Sequence, residues 1–303
     1  MEKYDLIIIG SGPGGLTAGI YGGRQGSKTL MLDKGPAGGQ GLEVPMMENY
    51  PGYEIIAGVS LIAQKKKQAL KLAELHEMEK VTSIEPLGRI YKISTTKQEY
   101  HANSIILSTG SRHRPLDVPG EKEFLGQGVS YCATCDGPLF AGKDVLMIGG
   151  GNSAAQEALF LKNIGCNVTI VHRRDQLRAD KYLKEKLEEH EIPIIWDSEV
   201  EEIKGNIFVE SVVLNNKKTS QKTEVSVSGV FIAIGDEPIN QLAKDLGLDI
   251  DHNGYIITDK FQRTNLERVY AAGDITGGVN QWIVACSEGA IAATAAFEDL
   301  QKM

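Results

Sequence analysis

The chain has 303 residues, enough to bury a substantial core and to form two domains of ordinary size. Its net charge of -8 and pI of about 5.4 argue against an extended basic face for nucleic acid. Of four cysteines, two are separated by only two residues while Cys166 and Cys286 lie far off, the usage of a redox catalyst rather than of a disulfide framework.

The N-terminus opens Met1-Glu2-Lys3-Tyr4-Asp5. Its apolar run Leu6-Ile7-Ile8-Ile9 is too short for the apolar core of a signal peptide or for a membrane span, so the expectation is a soluble, cytoplasmic protein. Lys3 to Ile9 is a predicted strand that runs into Gly10-Ser11-Gly12-Pro13-Gly14-Gly15. A helical stretch from Leu16 to Gln25 follows, then a second strand, Thr29 to Leu32, ending at Asp33. In such a unit the helix start offers N–H groups to a pyrophosphate, and a carboxylate about twenty residues past the turn accepts ribose hydroxyls.

Further along, Cys132-Ala133-Thr134-Cys135-Asp136 is a dithiol able to close a small, reactive disulfide. The first plan then repeats: a strand from Asp144 to Ile148, the turn Gly149-Gly150-Gly151-Asn152-Ser153-Ala154, a helix from Ala155 to Asn163 and a strand from Asn167 to Val171. One glycine fingerprint is a weak signal, but two, each flanked by strand and helix, predict two bound dinucleotides. Past the second strand the chain reads His172-Arg173-Arg174-Asp175-Gln176-Leu177-Arg178. Guanidiniums there suit a 2'-phosphate, so the second site is expected to prefer NADP to NAD.

A charged helix is predicted from Ala179 to His190, then short alternating strands from Glu199 to Ser228 with a hairpin tip at Asn215-Asn216-Lys217-Lys218. A buried strand, Gly229 to Ile234, leads into Gly235-Asp236-Glu237-Pro238, read as a turn that returns the chain to the first domain. The outbound crossing is Ser111 to Pro119. Val269 to Asp274 reads as a short strand closing on a carboxylate able to hold a flavin's ribityl hydroxyls. Gln281 to Phe297 reads as a helix whose start, near Gln281-Trp282-Ile283, aims N–H groups at the pyrimidine edge of an isoalloxazine. The expected fold class is α/β, with two Rossmann-like three-layer dinucleotide-binding domains. One domain, 115–238, is inserted into the other, made of 1–114 and 239–303.

With Gly38-Gly39-Gln40, Glu48-Asn49-Tyr50-Pro51-Gly52, Thr109-Gly110 and Ala272-Gly273-Asp274 added, these motifs stand in the order of the low-molecular-weight NADPH-dependent thioredoxin reductases, which the chain resembles from Leu6 to the C-terminus. Ferredoxin-NADP reductases of similar architecture lack the cysteine pair. The resemblance implies FAD on the first domain, NADPH on the inserted one, a homodimer, and thioredoxin or a thioredoxin-like protein as the disulfide partner. It assigns FAD contacts to Gly10, Gly12, Pro13, Gly14, Gly15, Asp33, Lys34, Gly39, Gln40, Asn49, Thr109, Gly110, Asp274, Gln281, Trp282 and Ile283. NADPH contacts fall on Gly149, Gly151, Asn152, Ser153, Ala154, His172, Arg173, Arg174 and Arg178. Cys132, Cys135 and Asp136 are the catalytic set: Cys135 faces the flavin, Cys132 attacks thioredoxin, and Asp136 is a candidate proton donor that also fits the first place of an Asp-Gly turn.

Four positions depart from the family pattern: Asn280 replaces a basic residue, Trp282 is bulky for a position near the flavin in relatives, and Met46-Met47 replace more polar residues. Other readings remain open. A CxxC pair also ligates zinc, although no second close Cys/His pair is present. A flavin dithiol oxidase would have no use for the arginine cluster, and a reductase fed by another low-potential donor would keep the dithiol. Because the dithiol and the second glycine turn share one domain yet must both serve one flavin, a domain rotation about Arg114-Pro115 and Asp236–Pro238 is expected.

Overall fold

The computed structural model describes residues 2–44, 47 and 49–302; Met46 and Glu48, named above, lie outside the described residues. The chain divides into two compact units, Met1–Arg112 with Glu237–Met303, and His113–Asp236.

In the first unit the run Leu6-Ile7-Ile8-Ile9 is apolar on both faces and forms the buried end of β1 (Glu2–Ile9), as a strand covered from both sides must. The chain turns into α1 (Pro13–Arg24) and returns as β2 (Thr29–Leu32), then forms α2 (Gly58–Ala69) and β3 (Glu74–His76). Strand β1 pairs parallel with β2, Ile9 opposite Leu32, and β2 pairs parallel with β3, Leu32 opposite His76. An antiparallel meander follows: β4 (Val81–Leu87), β5 (Ile90–Thr95) and β6 (Glu99–Leu107). The short β7 (Ser111–His113) leads out of the unit.

The second unit opens with β8 (Val129–Ser130) and the single helical turn α3 (Ala133–Asp136). It continues with β9 (Asp144–Gly149), α4 (Asn152–Asn163), β10 (Asn167–Val171), α5 (Lys181–Glu189) and β11 (Ile194–Ile195). A meander of β12 (Ser198–Gly205), β13 (Val209–Asn216) and β14 (Lys222–Ser226) precedes β15 (Gly229–Ala233). The parallel sheet has the order β11-β10-β9-β15-β8, and the meander is a separate antiparallel sheet. Each unit thus couples a parallel sheet to a three-stranded meander, so the duplication reaches beyond the two glycine turns.

The chain returns through β16 (Asp236–Pro238) and adds α6 (Gln241–Leu246), β17 (Val269–Ala271) and α7 (Trp282–Leu300). The segment Gly235–Pro238, read as a turn, is not one: the chain bends at Ile234, Gly235 takes φ 107°, and Asp236–Pro238 pairs with β7. Two crossing segments laid side by side satisfy backbone groups that neither main sheet reaches. The seven-stranded sheet of the first unit has the order β3-β2-β1-β6-β5-β4, with β17 also on β6. Strand β6 therefore splits one edge: Glu99 to Ala102 faces β5 and Ile105 to Leu107 faces β17. Helix α7 lies on α1 through the small residues Ala285, Gly289, Ala292, Ala293 and Ala296, which let the two helices approach closely. Among the described residues no helix is long and apolar enough to cross a membrane.

Candidate active site

At the first glycine turn, Gly10 has φ 99° and a Cβ there would lie 2.2 Å from the Ser108 carbonyl oxygen, so the turn itself requires glycine. Gly12 is different. Its φ is -66°, open to any residue, and a Cβ would meet only the Gly38 carbonyl, 3.9 Å away. Packing of the chain does not call for glycine at this N-cap, and α1 starts there with no side-chain cap and no acidic residue in its first turn. The leading N–H groups of a helix have no carbonyl partner within it, and those of Gly14 and Gly15, next to this open N-cap, fit a pyrophosphate.

Asp33 closes this turn from β2: its Oδ2 accepts from the Ser11 N–H at 2.7 Å and from Ser11 Oγ at 2.6 Å, while Oδ1 accepts from the Gly35 N–H at 3.0 Å. The carboxylate is held beside the helix start, and Lys34 next to it is exposed. The segment Gly38-Gly39-Gln40 lies along the same turn, with the Gly38 N–H donating to the Ser11 carbonyl at 2.9 Å. Gln40 Nε2 donates to both Ser111 oxygens at 3.1 Å, and Ser111 Oγ donates to Asp274 at 3.4 Å. Thr109 and Gly110 hold the returning chain: Thr109 Oγ1 donates to the Ile239 carbonyl at 2.8 Å and the Ile239 N–H to Gly110 at 2.9 Å.

The start of α7 is met by Asn49, whose Nδ2 donates to Gln281 Oε1 at 2.9 Å. Gln281 is the N-cap of α7 and lacks a side-chain cap bond, leaving the first N–H groups available. Asn280 and Ile283 are exposed. The Trp282 indole packs against Gly41, where a Cβ would fall 2.5 Å from the ring, and meets the Tyr50 ring edge-on at 6.4 Å. Its bulk is absorbed by a glycine. The sequence reading missed Glu288, whose carboxylate accepts from the Gly273 N–H at 2.7 Å and from Thr276 Oγ1 at 3.0 Å, fixing the turn that presents Asp274. Burial pushes the Glu288 carboxyl up. No local pattern marks a lone glutamate on a helix.

In the second unit Gly151 is again an N-cap without a side-chain cap, and a Cβ there would meet nothing within 4 Å. Its neighbour Gly150 is packed, since a Cβ would lie 2.2 Å from the His172 ring. His172 is buried, with Nε2 3.0 Å from the Gln176 carbonyl oxygen, and burial lowers its pKa; it supports the turn from below. The loop is closed by the Arg178 N–H donating to the Gly150 carbonyl at 2.7 Å. Asn152 and Asp180 exchange two hydrogen bonds, at 2.7 and 2.8 Å. Among the described residues Arg173, Arg174 and Arg178 are exposed and paired with no carboxylate, whereas Asp175 between them faces Lys218 at 3.6 Å. Three uncommitted guanidiniums beside an uncapped helix start fit a phosphorylated ribose.

The cysteines are joined as a Cys132–Cys135 disulfide. Cys132 is the N-cap of α3, its Sγ accepting from the Cys135 N–H at 3.1 Å. Cys132 is half-buried and Cys135 exposed, and the buried Ala133 anchors the turn between them. Glu121, missed from the sequence, is buried and accepts from the Leu116 and Asp117 N–H groups at 2.8 and 2.7 Å and from the Tyr131 hydroxyl, so the segment entering Cys132 is rigidly held. Asp136 lines a cavity of about 170 Å³ with Ser130, Leu139, Phe140 and Phe208. Leu139 is 70% exposed and Phe208 63%, large apolar side chains left open in the cavity that Asp136 lines.

A family model described as pyridine nucleotide-disulphide oxidoreductase matches residues 4–289. The chain is 43% identical over 296 residues to a thioredoxin reductase of Treponema pallidum, spanning 97% of this chain and 96% of that protein. It is also 43% identical over 302 residues to a thioredoxin reductase of Peptoclostridium acidaminophilum, with 97% and 96% covered. The crystal structure of Lactococcus lactis thioredoxin reductase is similar at a TM-score of 0.96 and 43% identity, covering 99% of this chain and 100% of that one.

Proposed function

The chain belongs to the pyridine nucleotide-disulphide oxidoreductase family, and from that premise we propose that it is a thioredoxin-disulfide reductase with FAD on the first unit and NADPH on the second. The observation that carries the reading is the pair Gly12 and Gly151: two helix starts kept bare where packing does not demand it, in a chain whose disulfide sits at a third. FAD, when bound, would supply two-electron redox chemistry between a nicotinamide and the disulfide.

The chain's own residues bind and aim. The N–H groups of Gly14 and Gly15 would hold one pyrophosphate, and those of Asn152, Ser153 and Ala154 the other. Asp33, already oriented by Ser11, would accept from a ribose; Asp274, steadied by Ser111 and Gln40, would accept from the ribityl chain. Gln281 and Asn49 would meet the pyrimidine edge, and Arg173, Arg174 and Arg178 the 2'-phosphate.

In the closed disulfide Cys132 sits at the N-cap of α3 and its Sγ accepts from the Cys135 N–H, a position that suits an attacking sulfur once the disulfide is opened. Cys132 Sγ would attack one sulfur of the oxidised partner, the partner's other sulfur would leave and take a proton for which Asp136 is the candidate donor, and Cys135 Sγ would then attack Cys132, releasing the reduced partner and restoring the disulfide. The open apolar wall of Leu139 and Phe208 would seat the partner protein.

The homodimer and the cytoplasmic location belong to the same proposal. A dithiol relay of this kind works against a reducing pool, and light scattering of the purified protein reads the oligomer. The deciding experiment is an anaerobic spectral titration. NADPH is expected to bleach the flavin far more readily than NADH, and oxidised thioredoxin to restore it. A bleached flavin that oxidised thioredoxin leaves bleached would remove thioredoxin as the acceptor.

A further inference from the structure

Cys286 takes no part in the chemistry above, yet it does not face an apolar wall. The Lys65 ammonium, on α2, donates to Cys286 Sγ at 2.7 Å and to Thr17 Oγ1 at 3.1 Å. The Pro13 carbonyl lies 3.7 Å from the sulfur, the Tyr50 hydroxyl interacts with both Lys65 and Cys286, and the Lys65 ammonium lies 5.7 Å from the Tyr50 ring centre. Cys286 is 6% exposed and Lys65 half-buried. All of these groups lie within the first unit. The other free cysteine, Cys166, provides a contrast: it is buried among apolar side chains, its sulfur lies 3.8 Å from the Gly137 carbonyl, and burial pushes its thiol up.

A cysteine reacts with peroxide as the thiolate, and a donating ammonium steadies that charge as the reaction proceeds. The first product, a sulfenic acid, condenses with a thiol or with a nitrogen. At Cys286 burial keeps other thiols away while one amine is already in contact with the sulfur, so the intramolecular partner has a large advantage in effective concentration.

We propose that Lys65 and Cys286 form an oxidation-dependent cross-link, in which hydrogen peroxide converts the Cys286 thiol to a sulfenic acid and the Lys65 amine then displaces its hydroxyl. In the first step sulfur gives two electrons to peroxide, the O–O bond breaks, and one water leaves with a sulfenic acid in place. In the second, Lys65, having lost its ammonium proton to solvent, forms an S–N bond as the S–O bond breaks. The hydroxyl departs with one of the two amine protons as a second water, and the other stays on the bridging nitrogen. One thiol, one amine and one peroxide thus become one S–N bond and two waters. The closure ties α2 to α7 beside the start of α1, removes a positive charge from this site, and is undone by an external dithiol, which is oxidised to its disulfide as both groups are returned.

The test uses the flavin-loaded protein with its Cys132–Cys135 disulfide closed, so that Cys166 and Cys286 are the remaining thiols. After exposure to hydrogen peroxide and alkylation, peptide mass mapping is expected to find the Lys65 peptide joined to the Cys286 peptide with the loss of two hydrogens. Dithiothreitol should separate them, and Cys166 should stay alkylatable. In Lys65→Arg, which keeps a cation at the site, the joined peptide should vanish and Cys286 should be trapped instead by a sulfenic-acid reagent. Cys286 passing to sulfinic or sulfonic acid in the wild-type chain with no joined peptide would overturn the proposal, as would Cys166 reacting as fast as Cys286. A joined peptide that retains an extra oxygen would overturn the S–N step. The wild-type map decides the matter even if the variant is poorly folded.

Discussion

Arg173, Arg174 and Arg178 are exposed at the end of β10 while the intervening Asp175 is drawn to Lys218, so the positive charge there is uncommitted. Replacing Arg173 and Arg174 by Ala is expected to raise KM for NADPH by about tenfold to a hundredfold, leaving KM for NADH nearly unchanged, because only the phosphorylated cofactor loses charge-assisted hydrogen bonds. Equal losses in steady-state kinetics would remove these residues from phosphate recognition. The cysteines separate in the same manner. Cys135→Ser should trap thioredoxin through Cys132 as a mixed disulfide, provided the partner's resolving cysteine is absent, whereas Cys132→Ser should not trap and should keep a long-wavelength charge-transfer absorption at the flavin; trapping through Cys135 alone would reverse the roles. Asp299 is a residue of stability. Arg263, bonding to it at 2.8 and 3.1 Å, and the Tyr270 hydroxyl at 2.8 Å hold its carboxyl well below the usual carboxylate range. A folded-state pKa depressed below the unfolded one contributes stability that is present above the unfolded value, near 4, and lost as pH falls through the folded value. Asp299→Asn should therefore cost about 1–3 kcal/mol in urea unfolding at pH 7, with the gap from wild type narrowing as the pH falls below 4. At this scale the sequence shows residue type but not direction: His172 reads as one more cation beside the arginines, and its ring turns inward because Gly150 leaves room for it.

Elements announced by periodicity were readable and those made by tertiary contact were not. The apolar run of β1 and the glycine turns that follow β1 and β9 identify the two strand-turn-helix units, although both helices begin at the last turn of the glycine loop, at Pro13 and Asn152 rather than at Leu16 and Ala155. Pro at the first position explains the former. Helix α3 has four residues and no periodicity; it exists because a sulfur caps it and Ala133 is buried beneath it. The β4–β6 meander went unread although Ile90–Thr95 alternates buried and half-buried positions, a signal that marks a strand but not its partner. The glycine loops give an element-level test. Gly12→Ala and Gly151→Ala should leave thermal unfolding of the cofactor-free protein within about 0.5 kcal/mol of wild type while lowering FAD retention and NADPH affinity respectively. Gly10→Ala and Gly150→Ala should instead unfold at lower temperature, since a Cβ there strikes the Ser108 carbonyl or the His172 ring. A uniform response of all four would mean that packing, not ligand, sets Gly12 and Gly151.

At the scale of the molecule, the repeat of one motif inside the span of another made the insertion legible, and the returning strand β17 followed from the need to finish an interrupted unit. The span 113–236 is uninterrupted and has its own core around Met147, Ile170 and Phe231. Expressed alone, it is expected to unfold cooperatively in urea with the circular dichroism of an α/β protein, and to bind NADPH without its disulfide being reduced. A fragment disordered in buffer would reject its autonomy, and one whose disulfide NADPH reduces directly would remove the need for a flavin.

The divided edge of β6 also orders events on the ribosome. Ile105, Ile106 and Leu107 emerge before the inserted unit, but Val269, Tyr270 and Ala271, which pair with them, emerge only after it. The inserted unit is complete in the interval, whereas the first sheet waits with a row of apolar residues and unpaired backbone groups exposed, the kind of edge that recruits other chains. Translation products that stop short of Val269 should therefore be substrates for aggregation and proteolysis rather than partly active enzymes.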